Sequence, residues 1–203
     1  MTDEKKNRAI LADVCARLYE RKLTFSSGGN VSMRNADGVL ITPSGRNKGR
    51  LKPEEMVKTD IGGKLQGEGK PSIELGFHLA IYDCRPEVNA VVHCHPLYCT
   101  ALAVKKDKLR TGLTPEGILL LGDVPHMPYA TPGTQDLVDI VAEYSKHHDA
   151  MIMERHGAIT LGRDLEEAYN RMEELEFQAH MQFLTEGSLE LPEEERRRIR
   201  NGL

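Results

Sequence analysis

The sequence has no tryptophan, and aromatic residues make up only 5% of its 203 positions. It also lacks any uninterrupted run of about 20 apolar residues, the length that a helix needs to cross a bilayer. The charged N-terminal stretch has no apolar core followed by a small-residue cleavage site, which excludes a typical secretion signal. These absences predict a protein that contacts no membrane and lies in the cytoplasm.

Cysteine and excess charge of either sign are also scarce. The four cysteines, at positions 15, 84, 94 and 99, match neither a CxxC metal knuckle nor the framework of a small disulfide-rich domain, so we expect free thiols. The net charge of −4 excludes a broad basic surface, and we predict no nucleic-acid partner. Any anion that this protein binds must therefore be held by a local site.

The apolar residues that are present follow helical spacing in some segments and alternate like strand residues in others. We find no internal repeat and no low-complexity linker. This order predicts a single domain over residues 1–203 of the α/β class, a three-layer α/β/α sandwich in which helices cover a mostly antiparallel sheet. The segment GILLLGDVPHMPYA indicates two of its strands.

Local signals predict where several elements begin or turn. Gly38 is expected to supply the positive φ of a hairpin turn. Ser72 is expected to cap a helix whose first turn contains Glu74. Thr131 and Pro132 are expected to be the N-cap and first position of a later helix.

Two histidines interrupt the apolar segment NAVVHCHP. Side chains alternate across a strand, so His93 and His95 share one face, about 7 Å apart, and can bind one ion. For such a pair alone, two hydrogen-bonded histidines at a strand end are the commoner explanation. His156, in the strand-turn segment MERHGAITLG, would complete the three protein ligands of a catalytic zinc-type site.

Glu74 and two polar turns complete the candidate residues. Beside a metal ion, Glu74 would be a fourth ligand or a base, whereas on its own it is only a partner of the helix dipole. The turns SSGGN and TPSG can hold a phosphate through backbone amides and hydroxyls, although ordinary loops share this composition. The basic residues of RNKGR either bind an anion or face solvent: Arg46, Lys48 and Arg50.

The segments GGNVSMR, LITPSG, PSIELGFHLAIY, NAVVHCHPLY and ERHGAITLG, in this order and spacing, resemble the class II aldolase/adducin family. The resemblance is strongest to its L-fuculose-1-phosphate aldolase group and covers residues 8–184. It implies a homotetramer with active sites at subunit interfaces and a divalent metal, Zn²⁺ or alternatively Mn²⁺ or Co²⁺. It also implies that His93, His95 and His156 bind the metal and that Glu74 is catalytic. The implied substrate- and phosphate-binding residues are Ser27, Gly28, Asn30, Ser44, Gly45 and Ser72.

The activity implied by this resemblance is cleavage of a short ketose 1-phosphate, of the fuculose-, rhamnulose- or 5-deoxyribulose-phosphate type. The products would be dihydroxyacetone phosphate and an aldehyde, formed through a metal-stabilised enediolate. Other reactions of the family stay open: 4-epimerisation of a pentulose phosphate, decarboxylation of a keto-acid phosphate, and dehydration of methylthioribulose phosphate. Metal-assisted hydrolysis and a non-catalytic, adducin-like assembly role are alternatives from other classes.

Departures from the aldolase pattern affect the substrate and the leaving-group acid. Ile73 stands where the aldolases commonly carry a second small hydroxyl residue before the catalytic glutamate. Glu116 lies near the position of an aldolase tyrosine that comes from a neighbouring subunit, and no tyrosine follows Tyr169. We therefore predict Glu116 as a further catalytic residue.

Overall fold

A seven-stranded sheet forms the centre of the computed structural model, which describes residues 3–202. Its strands are β1 (Asn30–Asn35), β2 (Gly38–Ile41), β3 (Val57–Thr59), β4 (Ala90–Cys94), β5 (His126–Met127), β6 (Ala150–Met153) and β7 (Gly157–Gly162). The helices are α1 (Asp3–Glu20), α2 (Leu75–Cys84), α3 (Leu97–Lys105), α4 (Pro115–Leu121), α5 (Gln135–Ser145), α6 (Leu165–Leu184) and α7 (Glu193–Arg200). Within this part of the chain, every helix is too short or too polar to span a membrane.

The strand order is β3-β2-β1-β4-β7-β6-β5, so β4 occupies the middle of the sheet. All neighbouring strands pair antiparallel except β5 and β6, which are parallel. His93 on β4 lies opposite Asn30 on β1 and Ile159 on β7. The register therefore brings three distant segments together at one end of the central strands.

Two buried clusters cover the two faces of the sheet. One combines the apolar residues of α1, α3 and α6 with Val92 and Cys94 of β4. The other combines residues of α2 and α5 with Val91 of β4. Because neighbouring strand residues point to opposite faces, these two clusters make a helix-sheet-helix sandwich. The predicted α/β fold class and three-layer architecture are confirmed.

The prediction of two strands in GILLLGDVPHMPYA is wrong for its first half, which is helix α4. Thr114 caps this helix by accepting a hydrogen bond from the amide of Gly117, and Pro115 occupies the first helical position. A short leucine run fits a buried helix as well as a strand, so periodicity alone misassigned it. Only His126–Met127 is a strand, at the parallel edge of the sheet.

Two predicted helix starts lie too early in the chain. Helix α2 begins at Leu75 with Glu74 as its N-cap, and Ser72 instead accepts a hydrogen bond from the amide of Glu74 in the preceding turn. Helix α5 is capped by Thr134, whose hydroxyl donates to the carbonyl of Thr131. In both cases a polar turn precedes the helix, and its first hydroxyl residue resembles a cap.

The prediction of a positive φ at Gly38 is also wrong, because its φ lies outside the left-handed region. A side chain at this position would instead collide with the carbonyl oxygen of Thr59 on β3. Glycine therefore permits the close approach of β2 and β3 rather than the turn geometry.

Candidate active site

Three histidines meet at the end of the central strands. His93 is on β4, His95 follows this strand directly, and His156 lies in the turn between β6 and β7. One ring nitrogen from each lies within 4.8 Å of the other two, and the Nε2 atoms of His93 and His95 are 3.1 Å apart. Nitrogens that bind one tetrahedral ion at about 2.0–2.1 Å lie roughly 3.3 Å from each other. The spacing is therefore suitable for a shared metal ion.

A hydrogen bond to the backbone fixes the orientation of the His93 ring. Its Nδ1 lies 2.9 Å from the carbonyl oxygen of Ala158 on β7, to which it donates, and this leaves the Nε2 lone pair directed toward the other histidines. Burial lowers the pKa of His93 well below its usual value, and the neighbouring rings of His95 and His156 lower it further. Burial likewise lowers the pKa of His156 to about 4. These rings are therefore neutral at physiological pH, the form that binds metal ions.

Two glycines allow other segments to pack directly against His95. A Cβ on Gly28 would lie 2.9 Å from Nδ1 of His95, and one on Gly157 would lie 2.7 Å from its Cδ2. Real Cβ atoms do not approach other atoms so closely, so a larger residue at position 28 would displace the ring, and one at position 157 would also collide with the carbonyl oxygen of Cys94. The glycines of SSGGN and ERHGA thus contribute to the position of His95.

Glu74 lies between two of the histidines. Its Oε2 is 3.4 Å from Nε2 of His93, and its Oε1 is 3.5 Å from Nε2 of His156. Burial raises the pKa of this carboxyl group, while a hydrogen bond from Asn30 and the charge of Lys48 act in the opposite direction. Oε1 is buried and has no hydrogen-bond partner within residues 3–202. This oxygen is free to bind a metal ion or to carry a proton.

The donor set fits a divalent cation. It consists of three neutral imidazoles and a carboxylate, the nitrogen and oxygen ligands that zinc and related ions accept. The unpartnered Oε1 of Glu74 supports this assignment, because a buried polar atom without a partner is costly unless something binds it. The residues present can therefore hold a divalent metal ion.

A cavity of about 340 Å³ opens beside His95, Glu74 and His156. The six residues predicted to bind substrate or phosphate all line it: Ser27, Gly28, Asn30, Ser44, Gly45 and Ser72. The two polar turns that were separate in the sequence therefore form one wall of a common cavity. Ile73 also lines the cavity, and its side chain is exposed.

Lys48 lines the same cavity, a location that the sequence left undecided. It is only 3% exposed, and its Nζ donates to the carbonyl oxygens of Ser27 at 3.0 Å and Arg46 at 2.9 Å. The side chain of Arg46 instead pairs with Glu55, and Arg50 is exposed. The three basic residues look equivalent in sequence, and only the short helical turn Lys48–Arg50 directs one of them inward.

Two further predictions concern Asn30 and Glu116. Asn30 reaches the cavity, but its amide donates to Glu74 and its oxygen faces His78, a buried histidine that sequence reasoning did not identify. Glu116 lies on α4, is exposed, and does not line the cavity of its own chain. Its catalytic role stays a prediction.

A sequence model of the Class II Aldolase and Adducin N-terminal domain matches residues 9–183. The chain belongs to the class II aldolase and adducin family. The resemblance inferred from the sequence is thereby confirmed.

Relatives within the family carry more than one activity. An L-fuculose phosphate aldolase from Methanococcus vannielii is 44% identical over 163 residues, which cover 80% of this chain and 88% of the relative. A 3-oxo-tetronate 4-phosphate decarboxylase from Pectobacterium atrosepticum is 34% identical over 91% of this chain and 87% of its own length. The crystal structure of Escherichia coli YgbL, a candidate aldolase, epimerase or decarboxylase, has a TM-score of 0.93 and 31% identity, with 98% of this chain and all of that chain covered. The protein is therefore a lyase of the class II aldolase family.

Proposed function

We propose that this protein is a divalent-metal-dependent aldolase that cleaves a short ketose 1-phosphate to dihydroxyacetone phosphate and an aldehyde. The observation that carries the proposal is the position of Oε1 of Glu74. This unpartnered carboxylate oxygen lies 3.5 Å from Nε2 of His156, and Glu74 lines a cavity that the buried Lys48 also lines. The aldolases among the relatives support the same reaction.

His93, His95 and His156 would hold the cation, with Glu74 as a fourth ligand in the absence of substrate. When bound, a divalent cation supplies Lewis-acid stabilisation of the negative charge that develops on the substrate oxygens. Zn²⁺ is the first candidate, because nitrogen-rich sites suit it, and Mn²⁺ and Co²⁺ are the alternatives.

Glu74 moves a proton at Oε1. In cleavage, Oε1 accepts the proton of the hydroxyl on the fourth carbon, this carbon becomes the aldehyde carbonyl as its bond to the third carbon breaks, and the electron pair of that bond remains on the three-carbon fragment. Transfer of a proton from Oε1 to the third carbon then gives dihydroxyacetone phosphate. Because burial raises the pKa of Glu74, its carboxyl group can both accept and release this proton.

Lys48 and the two polar turns would bind the phosphate end of the substrate. The ammonium group has three N–H donors, and the carbonyls of Ser27 and Arg46 use two of them. The Lys48 side chain itself has little access to water, so its charge is screened less than a surface charge. The hydroxyls of Ser44 and Ser72 line the same cavity and can donate to the phosphate oxygens.

We expect a homotetramer in which a neighbouring copy completes each active site. Leu119 and Leu120 are 63% and 42% exposed on α4, close to Glu116, and an apolar patch of this kind is suited to burial between subunits. Such burial would allow Glu116 of one copy to reach the cavity of the next. Sedimentation analysis would test the tetramer, and a monomer that is fully active would contradict it.

The function is tested by incubating ketose 1-phosphates with the protein and Zn²⁺, Mn²⁺ or Co²⁺, and by measuring dihydroxyacetone phosphate in a coupled assay. Glu74→Gln should lower turnover by about 100-fold or more, the usual contribution of general acid-base catalysis. Its metal content should stay near that of the wild type if Glu74 mainly carries the proton. Unchanged turnover in this variant would refute the proposed role.

A second candidate is decarboxylation of a keto-acid phosphate, which the decarboxylase among the relatives supports. Ile73 also favours it, because the cavity lacks the second hydroxyl that aldolases commonly offer beside the catalytic glutamate. This reaction would use the same metal-binding histidines. Release of carbon dioxide from 3-oxo-tetronate 4-phosphate, without formation of dihydroxyacetone phosphate from any ketose, would favour it over the aldolase.

A further inference from the structure

A continuous row of hydrogen bonds runs from Glu74 into the interior. Asn30 Nδ2 lies 2.7 Å from Oε2 of Glu74, and Asn30 Oδ1 is bonded to Nε2 of His78. Ser32 Oγ lies 2.7 Å from Nδ1 of His78 and 2.8 Å from the hydroxyl of Tyr82. His78 and Ser32 are fully buried, and Tyr82 is 1% exposed. Water therefore has little access to this row.

The chemistry of the partners fixes the direction of every bond. A carboxylate only accepts, so the amide nitrogen of Asn30 donates to Glu74, and its oxygen must accept from Nε2 of His78. Burial lowers the pKa of His78 to about 3, so its ring is neutral and its Nδ1 is an acceptor. Ser32 then donates to Nδ1 and accepts from Tyr82. All four donors consequently point toward Glu74.

Side chains from β1 and from helix α2 alternate along the row. Asn30 and Ser32 are two residues apart on β1 and share a face, while Glu74, His78 and Tyr82 follow at intervals of four along α2 and its N-cap. At the inner end, the guanidinium of Arg34 lies 4.8 Å from the centre of the Tyr82 ring. The row of hydrogen bonds therefore begins at Tyr82, whose ring packs against Arg34, and ends at the carboxylate of Glu74.

We infer that this hydrogen-bond relay, defined as Tyr82, Ser32, His78 and Asn30, positions Glu74 by holding its Oε2, so that its Oε1 stays directed toward His156. The inference rests on the proposed role of Glu74. Because Oε2 accepts from Asn30, Oε1 is the carboxylate oxygen left for other partners, and it lies next to His156. The four relay residues are positioning residues and act on the substrate only through Glu74.

The histidine tautomer tests the relay without any enzymatic assay. Nitrogen-15 NMR of the metal-free protein should show His78 as a neutral ring that carries its proton on Nε2, with an unprotonated, hydrogen-bonded Nδ1. Tyr82→Phe keeps the ring and removes only the hydroxyl, so it should shift the Nδ1 resonance of His78. A His78 ring protonated on Nδ1, or on both nitrogens at neutral pH, would overturn the inference even if no variant folded.

Kinetics then separate positioning from a general effect on the fold. Tyr82→Phe removes one neutral hydrogen bond and should lower kcat by about 2- to 12-fold, with KM and metal content unchanged. Ser32→Ala removes two and should lower kcat at least as much. Tyr144→Phe is the matched control, because Tyr144 packs against the same core cluster but is not part of the relay. A kcat loss as large in the control as in Tyr82→Phe would contradict the relay.

The two proposals can fail independently. If Glu74→Gln leaves turnover unchanged, the proposed function fails, and the His78 tautomer then decides only whether the relay exists. If Glu74→Gln is impaired but Tyr82→Phe and Ser32→Ala keep the kcat of the wild type, the relay inference fails and the proposed function stands.

Discussion

The two faces of strand β4 differ sharply in chemistry. Val92 and Cys94 point into the apolar cluster beneath α1, α3 and α6. His93 points to the opposite face, where α2 contributes His78 and Tyr82. One face of β4 thus supplies only apolar packing, whereas the other combines apolar packing around Val91 with buried polar groups. Strand alternation allows a single five-residue strand to contribute to both the core and the active site.

Cys94 illustrates the difference, because it lies between the two metal-binding candidates in sequence and is separated from them by the sheet. Burial raises the pKa values of Cys15 and Cys94 above the ordinary thiol value. A thiol binds metal ions as the thiolate, which burial disfavours here. These cysteines therefore behave as small apolar residues, and their thiols are free, as the sequence predicted.

The largest expected effect comes from changing the two faces of β4 separately. His93→Ala removes a candidate ligand, so we expect loss of stoichiometric metal and a fall in turnover of about 1,000-fold or more, beyond the 10- to 100-fold that loss of a ligand's supporting partner costs. Cys94→Ala, on the other face, should retain both metal and turnover. Metal analysis and the dihydroxyacetone phosphate assay measure these outcomes, and equal metal content in both variants would refute the assigned site.

A core substitution on the apolar face should lower the stability of the fold and leave metal binding and turnover unchanged. Leu175 on α6 is fully buried in the cluster that contains Val92. Leu175→Ala should lower the free energy of unfolding by about 2–5 kcal/mol, through lost burial and a residual cavity. Metal affinity and kcat should not change at a temperature where the variant is folded. Urea denaturation and metal titration test this, and a lower kcat in fully folded protein would show that the two faces are coupled.

A change in pH should have a smaller effect on the free energy of unfolding, and this effect should arise from His78 on the polar face. His78 stays neutral in the folded protein down to a pKa of about 3, whereas in the unfolded chain it takes up a proton near its ordinary value of 6.5. The unfolded state therefore binds more protons between these values. The contribution of His78 is fully present above about pH 6.5 and is lost as the pH falls, by at most about 1.4 kcal/mol per pH unit.

Urea denaturation of the metal-free protein between about pH 7 and pH 5 measures this slope, and working without metal avoids the pH dependence of metal binding. His78→Gln should have a shallower pH dependence than the wild type. Leu175→Ala should keep the slope of the wild type at lower overall stability. An identical slope in the wild type and His78→Gln would contradict a neutral buried ring.

Local patterns predicted the sandwich, the sharing of one face by His93 and His95, and the strand-turn-strand around His156. They did not predict helix α4, because an apolar run of three leucines has no period of its own. Nor did they predict the buried position of Lys48 or the relay, because these depend on how distant turns and elements pack. The spacing of Glu74, His78 and Tyr82 was visible in the sequence, but their partners Asn30 and Ser32 come from another strand.

The hydrogen bond from His93 to Ala158 joins residues that are 65 positions apart. Bringing such distant residues together costs chain entropy before the new contacts stabilise the chain. We therefore expect β4 to pair slowly with β7 during folding. His156 reaches the other histidines through the turn that precedes β7. Metal binding would therefore follow the formation of the central sheet. The rate at which a refolding chain binds metal would then report the rate at which β4 pairs with β7.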